Sequence, residues 1–120
     1  MGATQVTVCL RAKPRARRKY EALFLVGTAA TDCMAPARGL RRIGVTPRGR
    51  KTYELANGDT VEYEVGFVEV EFLGDTVPGR VIFGPDGCAP ILGVTALELS
   101  GITVDPVTQT LRRLPALLLK

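Results

Sequence analysis

Leu23-Phe24-Leu25-Val26-Gly27-Thr28-Ala29-Ala30-Thr31-Asp32 is an apolar run that breaks abruptly into small and polar residues. Tyr20 to Val26 is apolar almost throughout, the pattern of a strand buried on both faces. Thr28 to Asp32 has no apolar period, so the chain should turn there.

Upstream, Val6, Val8 and Leu10 alternate with Thr7 and Cys9, which predicts a first strand over residues 4–11. A basic loop separates the two strands. Downstream, Pro36 suits a first helical position, Leu40 and Ile43 share a face, and Gly44 is placed to end a short helix, although Gly39 weakens it. Asn57-Gly58 is a strong hairpin signal between the strand-like segments Lys51–Ala56 and Thr60–Phe72. Along the second arm Val61, Tyr63 and Val65 alternate with glutamates. The alternation then changes parity to Val68, Val70 and Phe72, so Gly66 marks a bend or bulge. Gly79 to Phe83 reads as another strand. Thr95-Ala96-Leu97-Glu98 has capping-box spacing for a helix that Gly101 closes. Ile102–Val104 and Thr108–Leu114 then form two strands joined at Asp105-Pro106. The expected architecture is an all-β single domain over residues 1–120 with two short helices.

Composition narrows the chemistry. The 120 residues are 46% hydrophobic and 23% charged, ordinary for a globular domain with a real core. No apolar run approaches the roughly 20 residues a membrane-spanning helix needs. Met1 to Val6 lacks the basic start and apolar stretch of a secretory signal, and Val6 stands where a myristoylation motif at Gly2 wants Ser or Thr. The expected location is cytoplasmic, without membrane association. Cys9, Cys33 and Cys88 match no zinc or disulfide spacing and read as free, mostly buried thiols. With no histidine in the chain, Ser-His-Asp and Cys-His arrangements are excluded, and hydrolysis would have to run on carboxylates or a lysine. Six of the nine residues from Arg11 to Lys19 are basic, but without an aromatic platform for bases the run reads as a solvated loop.

Over nearly its whole length the sequence resembles the retropepsin-like (retroviral-type, clan AA) aspartic peptidases, in particular their short bacterial single-domain members. Four features carry the resemblance in the family's order: the strand and loop Leu23–Asp32, the hairpin Tyr53–Tyr63 similar to the family's flap, the triplet Ile91-Leu92-Gly93, and the short helix Thr95–Ser100. The resemblance implies a closed or partly closed barrel, no metal or other cofactor, and a homodimer with one catalytic aspartate from each protomer. Two such carboxylates share a proton; the ionised one activates water and the protonated one polarises the scissile carbonyl.

Here the family's Asp-Thr-Gly-Ala loop reads Gly27-Thr28-Ala29-Ala30. Gly27 stands in the catalytic aspartate position and supplies no acid or base. By the resemblance, Thr28 would hydrogen-bond across the dimer axis, and Ala29 adds a methyl that would crowd the cleft and cost stability if its φ is positive. Ala30, Asp32 and the hairpin residues Leu55, Ala56, Asn57 and Gly58 match substrate-binding positions. Ile91, Leu92 and Gly93 match the motif that packs behind the active loop. Asp32, five residues along, is expected to help bind substrate, out of reach of the two-fold axis. The apolar segment Leu114-Pro115-Ala116-Leu117-Leu118-Leu119 is expected in the dimer interface.

The leading reading is a peptidase homologue that is inactive as written and retains binding of extended peptides or a protein ligand. A second is an active aspartic endopeptidase whose loop was changed by engineering or sequence error. A third is a basic β-barrel that binds nucleic acid through Arg11–Lys19, which the missing aromatics count against.

Overall fold

The computed structural model describes residues 4–117 and 119, so the readings made for Met1–Ala3 and for Leu118 lie outside the described residues. In chain order the elements are β1 (Gln5–Arg11), β2 (Tyr20–Gly27), β3 (Cys33–Pro36), α1 (Ala37–Arg42), β4 (Gly49–Glu54), β5 (Thr60–Phe72), β6 (Asp75–Gly84), β7 (Ile91–Gly93), α2 (Val94–Leu99), β8 (Ile102–Asp105) and β9 (Thr110–Arg113). Neither helix, at six residues each, is long enough to cross a membrane.

The main sheet runs β1-β2-β7-β3-β6-β5-β4, and β5 also pairs with β1, closing the sheet into a barrel. Closure leaves few free edges on the ring. β4 pairs only with β5 and projects as a hairpin arm, while β8 and β9 form a separate two-stranded sheet. The interior is filled by Val8, Leu10, Phe24, Leu40, Val70, Phe72, Val81 and Leu92, all below 2% exposure. Each such side chain contributes about 1.5–3 kcal/mol by leaving water.

Three local expectations need correction and one is narrowed. β2 is not buried on both faces: Phe24 is fully buried, but Leu23 is exposed. The closed ring has one inward face, so alternate residues of β2 point out of it. Pro36 caps α1 in extended conformation rather than opening it, and its ring disfavours helical backbone at Ala35, so β3 runs up to the helix. No bulge interrupts β5, because its pairing with β6 runs without an extra residue from Val65↔Ile82 to Phe72↔Asp75. Of the two alternatives expected at Gly66 the bulge is ruled out, and the buried face of the strand changes parity there. A Cβ there would lie 2.9 Å from the Thr46 carbonyl oxygen, so only glycine lets the two backbones approach. Lastly, Thr95 makes no capping box: α2 opens at Val94 after Gly93, without a side-chain cap. The first-turn donors Val94 N–H and Thr95 N–H are satisfied by the carbonyls of Ala30 and Thr31, at 2.7 and 3.4 Å.

Candidate functional site

Those last two hydrogen bonds tie the Gly27–Asp32 loop to the start of α2. β2 runs parallel to β7 with Leu25 beside Ile91, Val26 beside Leu92 and Gly27 beside Gly93. The loop turns immediately after β2, the Ala30 N–H donating to the Gly27 carbonyl at 3.0 Å. Behind it Gly93 is a steric requirement. A Cβ at that position would stand 2.5 Å from the Asp32 carbonyl carbon and 2.8 Å from the Thr31 oxygen. Main chain presses on main chain, so the loop is held rigidly from the rear.

At the front, Gly27 faces a different kind of neighbour. A Cβ there would lie 2.7 Å from Cγ2 of Ile91 and 3.1 Å from the Ala30 methyl. The Ile91 side chain therefore fills the space where a residue with a carboxylate would begin. Ala29 is not among the residues with positive φ, so the anticipated strain at that position is absent.

A cavity of about 830 Å³ lies between this loop and the hairpin. Gly27, Ala29, Ala30 and Asp32 contribute to one wall, and Leu55 and Ala56 to the wall facing it. Asn57 and Gly58 are exposed at the hairpin tip and do not line it. Leu92 and Gly93 are buried behind the loop, while Ile91 reaches the cavity wall. Thr28 points elsewhere, into a second cavity of about 640 Å³ among Leu97, Leu99, Ile102, Leu114 and Leu117. That apolar surface is partly uncovered, with Leu99, Leu114 and Leu117 between 47% and 61% exposed.

Asp32 is the one carboxylate buried at the cavity among the described residues, at 6% exposure. Its Oδ2 accepts hydrogen bonds from the Tyr53 hydroxyl at 2.6 Å and from Nε of Arg80 at 2.9 Å. Burial pushes the Tyr53 phenol well above its ordinary range, and its hydrogen bond to Asp32 adds to the rise. Burial also pushes the neighbouring Cys33 thiol up to about 11. Two donors from β4 and β6 thus converge on one oxygen of this loop carboxylate.

Tyr53 and Arg80 were not legible as site residues in the sequence. They lie 21 and 48 residues from Asp32, on β4 and β6, and no motif spacing connects them. The basic run has a modest arrangement: Arg11 pairs with Glu71, Lys19 with Glu21, and Arg18 donates to the Arg42 carbonyl. No disulfide joins Cys9, Cys33 or Cys88.

No family model matches the chain, and no curated protein matches it. Solved structures do. The EIAV protease complexed with the inhibitor HBY-793 aligns with a TM-score of 0.59 at 17% identity, over 81% of this chain and 86% of that one. The retroviral protease-like domain of Ddi1 from Leishmania major aligns over 96% of this chain and 92% of its own, at 18% identity and a TM-score of 0.55. Simian Foamy Virus (mac) protease aligns at 13% identity and a TM-score of 0.54, over 78% and 90%. At these identities the likeness is one of fold. The barrel with its two short helices is the retropepsin fold.

Proposed function

We propose that this chain is a retropepsin-like aspartic peptidase homologue that pairs as a homodimer, binds extended peptides beneath its hairpin, and does not hydrolyse them. The observation that carries the reading is at Gly27: the position where the family's catalytic aspartate would stand has no side chain, and Ile91 fills the adjoining space. The geometry of Asp32 supports it, since that carboxylate is buried and committed to Tyr53 and Arg80. Ala29, Ala30, Asp32, Leu55 and Ala56 are the proposed peptide contacts in the cavity, with Asn57 and Gly58 closing from the hairpin tip. The uncovered apolar surface around Thr28, Leu99 and Leu117 supports a symmetric partner there, with Leu114–Leu119 contributing. One barrel accounts for the core, which favours a single domain over residues 1–120. Three unpaired thiols favour a cytoplasmic setting.

The test is cleavage of a mixed peptide library from pH 3 to 7 by the chain as it stands and by a Gly27→Asp/Ala29→Gly/Ile91→Leu variant. The Ile91 change removes the methyl that would meet the new Cβ at nearly constant volume. Activity confined to the variant, and stopped by an aspartic-peptidase inhibitor, is the expected result. Cleavage by the unaltered chain would overturn the inactive reading, and Asp32 would be the first carboxylate to replace.

A further inference from the structure

Arg80 has an unusual division of labour. Its Nε is committed to the buried Asp32 carboxylate at 2.9 Å, yet its side chain remains 36% exposed. No other hydrogen bond or ion pair engages the guanidinium, so Nη1 and Nη2 have no protein partner among the described residues. Arg80 lines the main cavity, and also an adjoining one of about 350 Å³ with Phe67, Pro78 and Thr95. The free end of the fork is therefore accessible from the space where an extended ligand would lie.

The carboxylate behind it does not cancel this capacity. Asp32 Oδ2 is shared between Arg80 and the Tyr53 hydroxyl; the Tyr53 bond holds the carboxylate in place, and the carboxylate engages only Nε of the guanidinium, leaving its outer edge unoccupied. A guanidinium held by one nitrogen and open at the other two is pre-organised for a second carboxylate, which it can meet with two parallel N–H···O bonds. Of the other charges lining the cavity, Lys51 and Glu54 lie on β4 and are both exposed, so neither is locked against Arg80.

We infer that Arg80 is a carboxylate-recognition residue of this cleft, selecting peptides that carry Glu or Asp at the position facing it. The inference rests on the peptide-binding reading above and adds a ligand class to it. Asp32 and Tyr53 act as positioning residues, holding the fork at a set angle between loop and hairpin.

The probe is a set of extended decapeptide pools in which one position at a time is fixed as Glu, Gln or Lys, tested for retention on the immobilised full-length chain. At one or two positions the Glu pool should be retained about fivefold more strongly than the Gln pool, the worth of one partly solvated charge-assisted contact. Lys should rank last there. In Asp32→Asn/Arg80→Gln, which removes both charges and leaves none buried alone, the Glu-to-Gln ratio should fall to one; matched circular dichroism establishes that the variant is folded. Arg80→Lys, which keeps the charge without the fork, should retain only part of the ratio. Equal retention of Glu and Gln pools at every position would overturn the inference while leaving peptide binding intact. A ratio unchanged in the double variant would move the recognition to another cation, Lys51 first, and would equally overturn it. Retention of no pool at all would remove the peptide-binding reading and this inference together.

Discussion

The Tyr53 hydroxyl donates to Oδ2 of Asp32 at 2.6 Å, joining the far end of the projecting hairpin, one pair short of its turn, to the loop that follows β2. Without this bond β4 would be held by β5 alone, since it pairs with no other strand. Arg80 on β6 donates to the same oxygen, so one buried carboxylate gathers a loop, a hairpin arm and a barrel strand. Residues 55–59 at the hairpin tip lie beyond this tether and are exposed. The tether thus pins the hairpin beside its turn and leaves only the last pair and residues 55–59 beyond it.

Replacing Tyr53 by Phe removes one donor from a nearly fully buried carboxylate and keeps the ring. Stability should fall by about 1–2 kcal/mol, and amide exchange across residues 50–54 should accelerate while the barrel strands β1 and β2 remain protected. Hydrogen-exchange mass spectrometry reads both. Unchanged exchange across residues 50–54 would mean that β4–β5 pairing alone holds this arm.

Arg80→Ala should cost more, about 2–3 kcal/mol, because it leaves Asp32 buried without its cation; partial solvent access at the arginine keeps the cost below that of a fully buried pair. Adding Asp32→Asn to Arg80→Ala should recover part of the loss. Denaturant unfolding of the two single variants and the double variant measures the coupling.

Gly93→Ala sets a new methyl against the main chain of Asp32 and Thr31, which cannot rotate aside. The expected loss is about 3 kcal/mol or more, at the upper end for an overpacked site. Gly49→Ala is the control, because open space surrounds that position and β4 can take a side chain there. Thermal melts should separate the two variants widely.

Cys33 makes the fold sensitive to alkali. Burial opposes the thiolate and pushes the Cys33 thiol up from the ordinary 9.0 to about 11. A raised folded-state pKa means that this contribution is fully present below pH 9 and is lost as pH rises through about 11, since the unfolded chain ionises first. The loss should approach about 2–3 kcal/mol. Cys33→Ala should flatten the stability profile over that window in urea titrations at fixed pH.

The apolar surface around α2 and β8 predicts self-association. At micromolar concentration the unaltered chain should sediment as a dimer, and Leu99→Arg with Leu117→Arg should sediment as a monomer with its circular dichroism unchanged. A monomer in the unaltered chain would sink the homodimer proposal.

Much of this molecule is written locally. Alternation in Val6–Leu10 and Val61–Phe72, the Asn57-Gly58 turn, and the Asp105-Pro106 turn, whose Asp105 carboxylate accepts from the Val107 and Thr108 amides, are short-range signals that survive in the structure. The glycine at position 27 was equally visible, because a missing side chain needs no fold to be noticed. Helix starts were less secure: the Thr95 capping box failed because loop carbonyls from 64 residues earlier in the chain took the amides that a cap would have served.

What no local pattern carried was how the vacated position is filled and which groups surround Asp32. Ile91 reaches Gly27 only because β2 and β7 pair in parallel, and Tyr53 and Arg80 reach Asp32 only because the ring brings β3, β4 and β6 around one cavity. Periodicity reports which face of a strand is apolar. It carries no information about which distant strand supplies the neighbour, and an ion pair across 48 residues is a product of barrel closure rather than of spacing.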